Sequence, residues 1–279
     1  MLKSSLPGLR DQIDALESGW SRSSILENAE TPAVITTGWP DVDAALPRGG
    51  LARGVLHEWY ADLSHAGAEP AARHTARHTT WHAPLCILIH LAHAALHAHP
   101  SSDTRDDGRC VVWVGDHALP APGALNPDLL RRSLFIHTPD ADARLWAIDL
   151  ALRNPAVTAV VADAAALGHA AHRRLQLAAA AGAALALLTR PPREHRAFSS
   201  ATTRWRITPI TPDTLAPTRQ PHEQRWHVEL LRCKGMRPAP RPHAWTIQRD
   251  HATRHLRLAP HLDRRPQTTD TPQPTGHTA

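Results

Sequence analysis

Residues 36–58 read TTGWPDVDAALPRGGLARGVLHE, and the residues immediately after them decide how the rest of the chain is understood. The apolar run at 55–59 reads as the first core strand of an α/β sheet, with the form of a strand leading into a loop that holds nucleotide phosphates. Such a loop needs G-x-x-x-x-G-K-[ST], whose backbone N–H groups and lysine grip the phosphates. The chain continues instead Trp59-Tyr60-Ala61-Asp62-Leu63-Ser64-His65-Ala66-Gly67. Its two lysines are Lys3 and Lys234, and neither follows a buried strand to open a helix. The lead-in is kept and the grip is missing.

Outward from that strand, short apolar runs alternate with stretches of helical period, the pattern of a mostly parallel sheet flanked by helices on both faces. The spacing predicts a buried helix over 84–97, with Pro84 tolerated in its first turn. A strand over 109–114, a short helix over 126–132, a strand over 133–137 and a helix over 141–153 follow. A strand over 157–161 that ends at Asp163, a helix over 169–181 stopped by Gly182, and a strand over 184–189 continue the β-α-β cadence. Past Pro191, runs at 203–210, 225–233, 244–248 and 255–258 are rich in β-branched residues and Trp and are parted by Pro, so they predict antiparallel strands without a further helix. Upstream, Leu6, Leu9, Ile13 and Leu16 fall at helical spacing and 21–32 reads as a linker. The expected organisation is an N-terminal helix and linker at 1–32, an α/β core at 33–193, a strand extension at 194–259 and a disordered tail at 260–279.

The chain has 279 residues and 42% hydrophobic content, enough for one large α/β domain with appendages or for two small ones. Its charge is uneven. From Arg190 onward sixteen Arg or Lys face seven Asp or Glu, a formal +9, against fifteen and nineteen, or −4, for residues 1–189. That asymmetry fits a surface for nucleic acid or an acidic protein, or a solvated tail. Cys86, Cys110 and Cys233 stand apart without C-x-x-C spacing, which points to a reducing compartment and away from a disulfide framework or thiolate zinc. The opening MLKSSLPGLRDQID has no apolar signal core, and the longest apolar run, 175–188, falls short of the roughly 20 residues that span a bilayer. A cytoplasmic protein without a membrane segment is expected.

In a parallel sheet, ligands sit at the carboxyl ends of the strands, so the acids to examine are Glu58, Asp116 beside His117, and Asp163. An Asp closing a strand is where a nucleotide-binding fold holds Mg²⁺ through water, although at a strand end it more often caps a helix. His74, His78 and His82 are spaced by four, and His90, His93 and His97 by three and four, so each set shares a helix face, as metal ligands must. With 21 His in the chain such spacings arise by chance, no H-E-x-x-H accompanies them, and no metal is expected. Toward the C-terminus, Arg204-Trp205-Arg206, Arg225-Trp226 and Arg232-Cys233-Lys234-Gly235-Met236-Arg237 bring cations and aromatic residues together. On a strand, alternation puts cations on one face for phosphate contact and aromatics inward on the other. An aromatic content of 4% does not fit a base-stacking platform.

Taken in order, Ile35-Thr36-Thr37-Gly38, Asp43, Ala45-Leu46, Gly49-Gly50-Leu51, Gly54 and Glu58 resemble the opening of the RecA recombinase core. In register with it, Gly115-Asp116-His117-Ala118-Leu119 is similar to the family segment whose acid activates the attacking water. Asp163 is similar to its magnesium-associated Asp, and 185–190 to the strand after it. The likeness runs from Ile35 to about Arg193. The missing phosphate loop, the L-P-x-G-G-L-x-x-G-x-x-x-E lead-in, the segment Arg173-Arg174-Leu175-Gln176-Leu177-Ala178-Ala179 and the strand ending Arg190-Pro191 resemble the ImuA family. Its members are RecA-like accessory proteins of bacterial mutagenic translesion synthesis.

The resemblance implies a RecA-like core with a degenerate phosphate loop, acting in DNA damage tolerance and the SOS response beside an ImuB-like polymerase-related protein, an error-prone replicative-type polymerase and RecA. Phosphoryl transfer relies on clamping the phosphates with fixed positive charge, and acids alone would repel ATP. Neither ATP nor Mg²⁺ nor another cofactor is expected, no residue is expected to be catalytic, and Glu58, Asp116 and Asp163 are expected to be vestigial, capping helices or pairing with Arg. Binding then falls to the outer helices, the tail and the basic strands, with Arg204, Arg206, Arg225, Arg232, Lys234 and Arg237 as candidate contacts to a partner or to DNA. Two other readings stay open. One is an ATPase whose phosphate site uses Arg73, Arg77 or the backbone of Gly67; the other is an enzyme using zinc or iron held between His74 and His97.

Overall fold

The lead-in stretch folds back on itself before the chain enters the main sheet. In the computed structural model, which describes residues 34–62, 81–98, 109–210, 224–236, 243–250 and 255–259, β1 (Val34–Ile35) pairs antiparallel with β2 (Leu51–Ala52) around the short helix α1 (Pro40–Ala45). The motif residues make this turn. Thr37 N–H donates to Asp43 Oδ1 at 2.8 Å, and a Cβ on Gly50 would stand 2.5 Å from the carbonyl oxygen of Ile35, so no side chain fits there.

After β3 (Leu56–Ala61) come α2 (Leu85–His97), β4 (Cys110–Val114), α3 (Pro127–Arg131), β5 (Ser133–Ile136), α4 (Ala141–Arg153), β6 (Val157–Asp163), α5 (His169–Gly182) and β7 (Leu185–Arg190). The last strands are β8 (Thr203–Ile210), β9 (Arg225–Cys233), β10 (His243–Arg249) and β11 (Leu256–Leu258). All but the lead-in pair join one nine-stranded sheet in the order β11-β10-β9-β8-β3-β7-β6-β4-β5. The half from β3 to β5 is parallel, with helices on both faces, and the half from β8 to β11 is antiparallel within itself. This is the expected mostly parallel α/β sheet with antiparallel C-terminal strands.

One expectation needs refining. Residues 203–210 form an antiparallel pair with β9 but run parallel to β3 on their other side. A parallel neighbour requires a crossover of about a dozen residues, and 191–202 supply it through a 3₁₀ turn at Pro192–Arg196 that the sequence pattern did not announce. The extension is thus a continuation of the core sheet along its β3 edge.

Two apolar layers flank the sheet. One packs Trp39, Val42, Ile87, Leu88, Leu91, Trp113 and Trp205 between the sheet and α1 and α2. Trp59 and Trp205 stack across β3 and β8 with ring centroids 5.2 Å apart, and Trp39 Nε1 donates to the Leu256 carbonyl at 3.2 Å, tying the lead-in to the last strand. The other layer packs Leu56, Val112, Val160, Leu188, Ile148, Leu152 and Leu175 beneath α4 and α5.

Gly182 is the last residue of α5, where a Cβ would meet Leu152 O at 2.0 Å, so it permits close approach to α4, while Ala183, at φ 53°, takes the left-handed capping position. The first core strand runs 56–61 instead of 55–59, which places Glu58 within it and not at its end. The expected helix at 6–16, its linker, the His-rich stretch from 63 to 80 and the tail from 260 lie outside the described residues.

Candidate functional site

The carboxyl ends of β4 and β6 bring two of the candidate acids together with a basic residue. Asp163 closes β6 at 3% exposure, and its Oδ1 accepts from the Ala165 N–H at 2.9 Å. Gly115, just past β4 with φ 85°, has no room for a Cβ, which would lie 2.7 Å from Arg144 Cδ and 2.9 Å from Asp163 Cβ. The chain thus closes tightly over Asp163. Asp116 is the exposed first residue of the 3₁₀ turn Asp116–Ala118, with its Oδ1 at 2.7 Å from His137 Nδ1, and His117 packs on Trp81 at 4.2 Å between ring centroids. Asp163, Thr189 and Trp59 stand side by side across β6, β7 and β3. Thr189 Oγ1 and Trp59 Nε1 are buried there with no hydrogen-bond partner among the described residues.

Glu58 has a different environment from the one its sequence position implied. It is fully buried, and its two carboxylate oxygens are divided between two arginines from neighbouring strands. Arg190 Nη1 of β7 donates to Oε1 at 2.9 Å, and Arg204 Nε of β8 donates to Oε2 at 3.1 Å. Tyr60 OH donates to Oε2 at 2.6 Å while accepting from Arg204 Nη2 at 2.6 Å. Glu194 on the crossover turn closes the set: its Oε2 accepts from Arg190 Nε at 3.0 Å, and its Oε1 accepts from the N–H of Ala166, whose φ is 61°, at 3.1 Å.

The electrostatics follow from burial. Burial and then the Glu58 carboxylate push the Tyr60 phenol well above its ordinary value, so it remains a hydrogen donor. Burial works against the charge on Arg190, but Glu58, Tyr60 and Glu194 outweigh it and hold the guanidinium above its ordinary value. His172 of α5 is fully buried with both ring nitrogens unpartnered among the described residues. Burial lowers its pKa, and the 3.6 Å from its Nδ1 to Glu58 Oε1 is too long for a hydrogen bond. Removing one partner from a buried ionic set costs about 3–5 kcal/mol, because the remaining charge is left unpaired.

On the opposite face of β3, His57 is also fully buried, and burial pushes it down to about 4, opposed by its bond to the Ala52 carbonyl. The pattern fixes its tautomer. The Ala52 carbonyl only accepts, so Nε2–H donates to it at 2.9 Å, and Nδ1 accepts from the Thr203 hydroxyl at 2.7 Å, which itself accepts from Trp205 Nε1.

Among the basic candidates on the last strands, the alternation puts Trp205 inside and Arg204 and Arg206 on the other face, as expected. Arg204 is nevertheless corrected as a partner contact: at 9% exposure it is spent on Glu58 and Tyr60. Arg206, with a side chain 38% exposed, donates through Nε to Glu229 Oε2 at 2.9 Å. Arg225 is half-buried, while Arg232 and Lys234 are exposed, Lys234 Nζ donating to the Ser200 carbonyl.

Arg237, His74, His78, Arg73, Arg77 and Gly67 fall outside the described residues, and His82 is exposed. On α2, His90 stacks on Trp39 at 4.8 Å and donates through Nε2 to the Thr37 carbonyl at 2.7 Å, while His93 packs on His97. No group of three or more metal-ligating side chains occurs among the described residues. Nor is any described helix long and apolar enough to cross a membrane.

Sequence reasoning passed over Tyr60, His172, Arg190 and Glu194 as site residues. Only Arg190 left a signal, as a charge ending an otherwise apolar strand and followed by Pro191-Pro192.

No family model matches the chain. Protein ImuA of Caulobacter vibrioides is 32% identical over 236 residues, covering 78% of this chain and 84% of the relative, with the same figures in two strains. Among solved structures, the RadB recombinase is similar at a TM-score of 0.49 and 14% identity, covering 80% of this chain and 98% of that one.

Proposed function

The chain belongs to the ImuA family, and from that footing we propose that it works in DNA damage tolerance as a RecA-like adaptor for the polymerase components of mutagenic translesion synthesis, without turning over nucleotide. The observation that supports this reading best is the use made of Arg190 and Arg204. Phosphoryl transfer needs fixed cations aimed at the phosphates. In this chain two strand arginines neighbouring the lost loop neutralise Glu58 inside the sheet. Asp163 caps a turn and Asp116 faces His137, so each acid already serves the fold. An ImuB-like polymerase-related protein, an error-prone replicative-type polymerase and RecA are the partners, and contact with a partner or with DNA falls to the outer basic residues Arg206, Arg232 and Lys234.

One observation favours the rival, an ATPase with an unconventional phosphate site. The row Asp163, Thr189 and Trp59 leaves a buried hydroxyl and a buried indole N–H unpartnered among the described residues at the strand ends where nucleotides bind. Titration of fluorescent ATP and ADP into the full chain with Mg²⁺ separates the two. The adaptor reading expects no saturable binding at millimolar nucleotide, and co-elution with an ImuB-like protein that nucleotide does not change. Micromolar binding abolished by Asp163→Ala would replace the adaptor with an ATP-switched protein.

A further inference from the structure

A cavity of about 790 Å³ opens at the amino-terminal ends of β3 and β8, the end of the sheet opposite Asp163. Its apolar lining includes Leu46 from the lead-in hairpin, Val55 before β3 and Met236 after β9. Methionine is unbranched and polarisable, which suits a floor that adjusts to more than one apolar side chain. The charged residues lining it are Arg48, Arg232 and Lys234, all basic. A register shift in the β8–β9 pairing sets Arg232 opposite Arg204, and the turn at Gly235, with φ 87°, carries Lys234 toward the Ser200 carbonyl. Burial and then the neighbouring Arg232 lower the pKa of Lys234, so positive charge is crowded at this mouth.

The volume lies in the range of about 300–1,000 Å³ typical of ligand sites, and three features select among anionic occupants. A nucleotide would want an aromatic surface for its base, but the one ring in the lining is His57, fully buried and bonded through both nitrogens. A nucleic-acid backbone would want cations in a row along an open track, whereas these line one concavity together with Leu46, Val55 and Met236. An extended peptide satisfies both parts at once. We infer that the cavity receives a short acidic peptide segment of a partner protein, with one apolar side chain seated on Leu46, Val55 and Met236 and its carboxylates paired with Arg48, Arg232 and Lys234. The formal +9 carried from Arg190 onward suits an acidic partner of this kind. The inference deepens the adaptor reading and rests on it in one respect, that the cavity serves a protein partner.

The test uses fluorescence polarisation of the full chain with a fluorescein-labelled peptide of aspartate, glutamate, leucine, phenylalanine, aspartate and aspartate. The expected result is saturable binding, weakened about tenfold or more by the double reversal Arg232→Glu with Lys234→Glu, and comparably when serine replaces leucine and phenylalanine in the peptide. Oligothymidine and ATP should not compete. If the double variant does not fold by circular dichroism, Arg48→Glu on the exposed hairpin is the substitute and should also weaken binding. Absence of saturable binding, indifference to these reversals, or displacement by oligothymidine each overturns the inference. Failure of the adaptor reading would register separately: a chain that binds the peptide and also binds Mg-ATP loses only that reading, and one that binds neither loses only this inference.

Discussion

Arg204 and Arg206 stand two residues apart on β8, on the same face of the sheet, yet they belong to different regions. Arg204 is 9% exposed and meets Glu58, Tyr60 and the Glu194 carbonyl. Arg206, 38% exposed at its side chain, meets Glu229 at the margin of solvent. Residue type and pairing are alike, and the difference lies in what covers them. The inner arginine lies against the crossover turn, where charge left unpaired has no access to water. The outer one keeps part of its side chain in solvent. Counting arginines on a strand therefore says little about binding until burial is known.

The largest expected effect tests the inner region. Glu58→Gln keeps the shape and removes the negative charge shared by two buried guanidinium groups, so urea unfolding should show a loss of about 3–5 kcal/mol. A loss under about 1 kcal/mol would place the pair in the same class as a surface bridge and dissolve the contrast.

The next concerns the reverse face of the same strand. His57 has a folded-state pKa of about 4 against an ordinary 6.5, so between those values the unfolded chain takes up a proton that the folded chain refuses. Its contribution is intact above pH 6.5, shrinks as pH falls and levels off below about 4, for a total on the order of 3 kcal/mol. Thermal unfolding followed across that window should show a pH slope in the natural chain that His57→Gln reduces. Parallel profiles for the two would mean that the imidazole is reached by water.

The smallest effect belongs to the outer region. Arg206→Ala should cost about 1 kcal/mol or less in the same urea assay. A cost matching that of Glu58→Gln would show that the two arginines belong to one sealed network after all.

The sequence carried local information well and distant information hardly at all. Periodicity placed the helix at 141–153 and the strands at 203–210 and 225–233 on their observed residues, because each is decided by which face its own side chains bury. Asp116 and Asp163 were found at the ends of parallel strands because topology, read from the β-α-β cadence, puts them there. For Glu58 the sequence allows pairing with Arg but names no partner: Arg190 and Arg204 lie 132 and 146 positions downstream, a separation that no spacing rule encodes. Gly182 shows the same limit. As a helix breaker it was read from composition, but its job depends on the carbonyl of Leu152 in another helix. The direction of β8 was hidden for a related reason, since strand composition does not say whether the preceding connection turns back or crosses over.

The position of β3 between β7 and β8 has a consequence for how the chain is made. Synthesis delivers Glu58 first, and at about 5–20 residues per second the ribosome needs roughly 7 to 30 seconds more to add the 146 positions that bring Arg204. Until Arg190 is added, 132 positions on, the central strand has its acid without either cation. The nascent chain must keep an apolar strand with an unpaired carboxylate from settling elsewhere. The buried ionic set around Glu58 therefore cannot be completed until residues from β3, β7 and β8 have all been made.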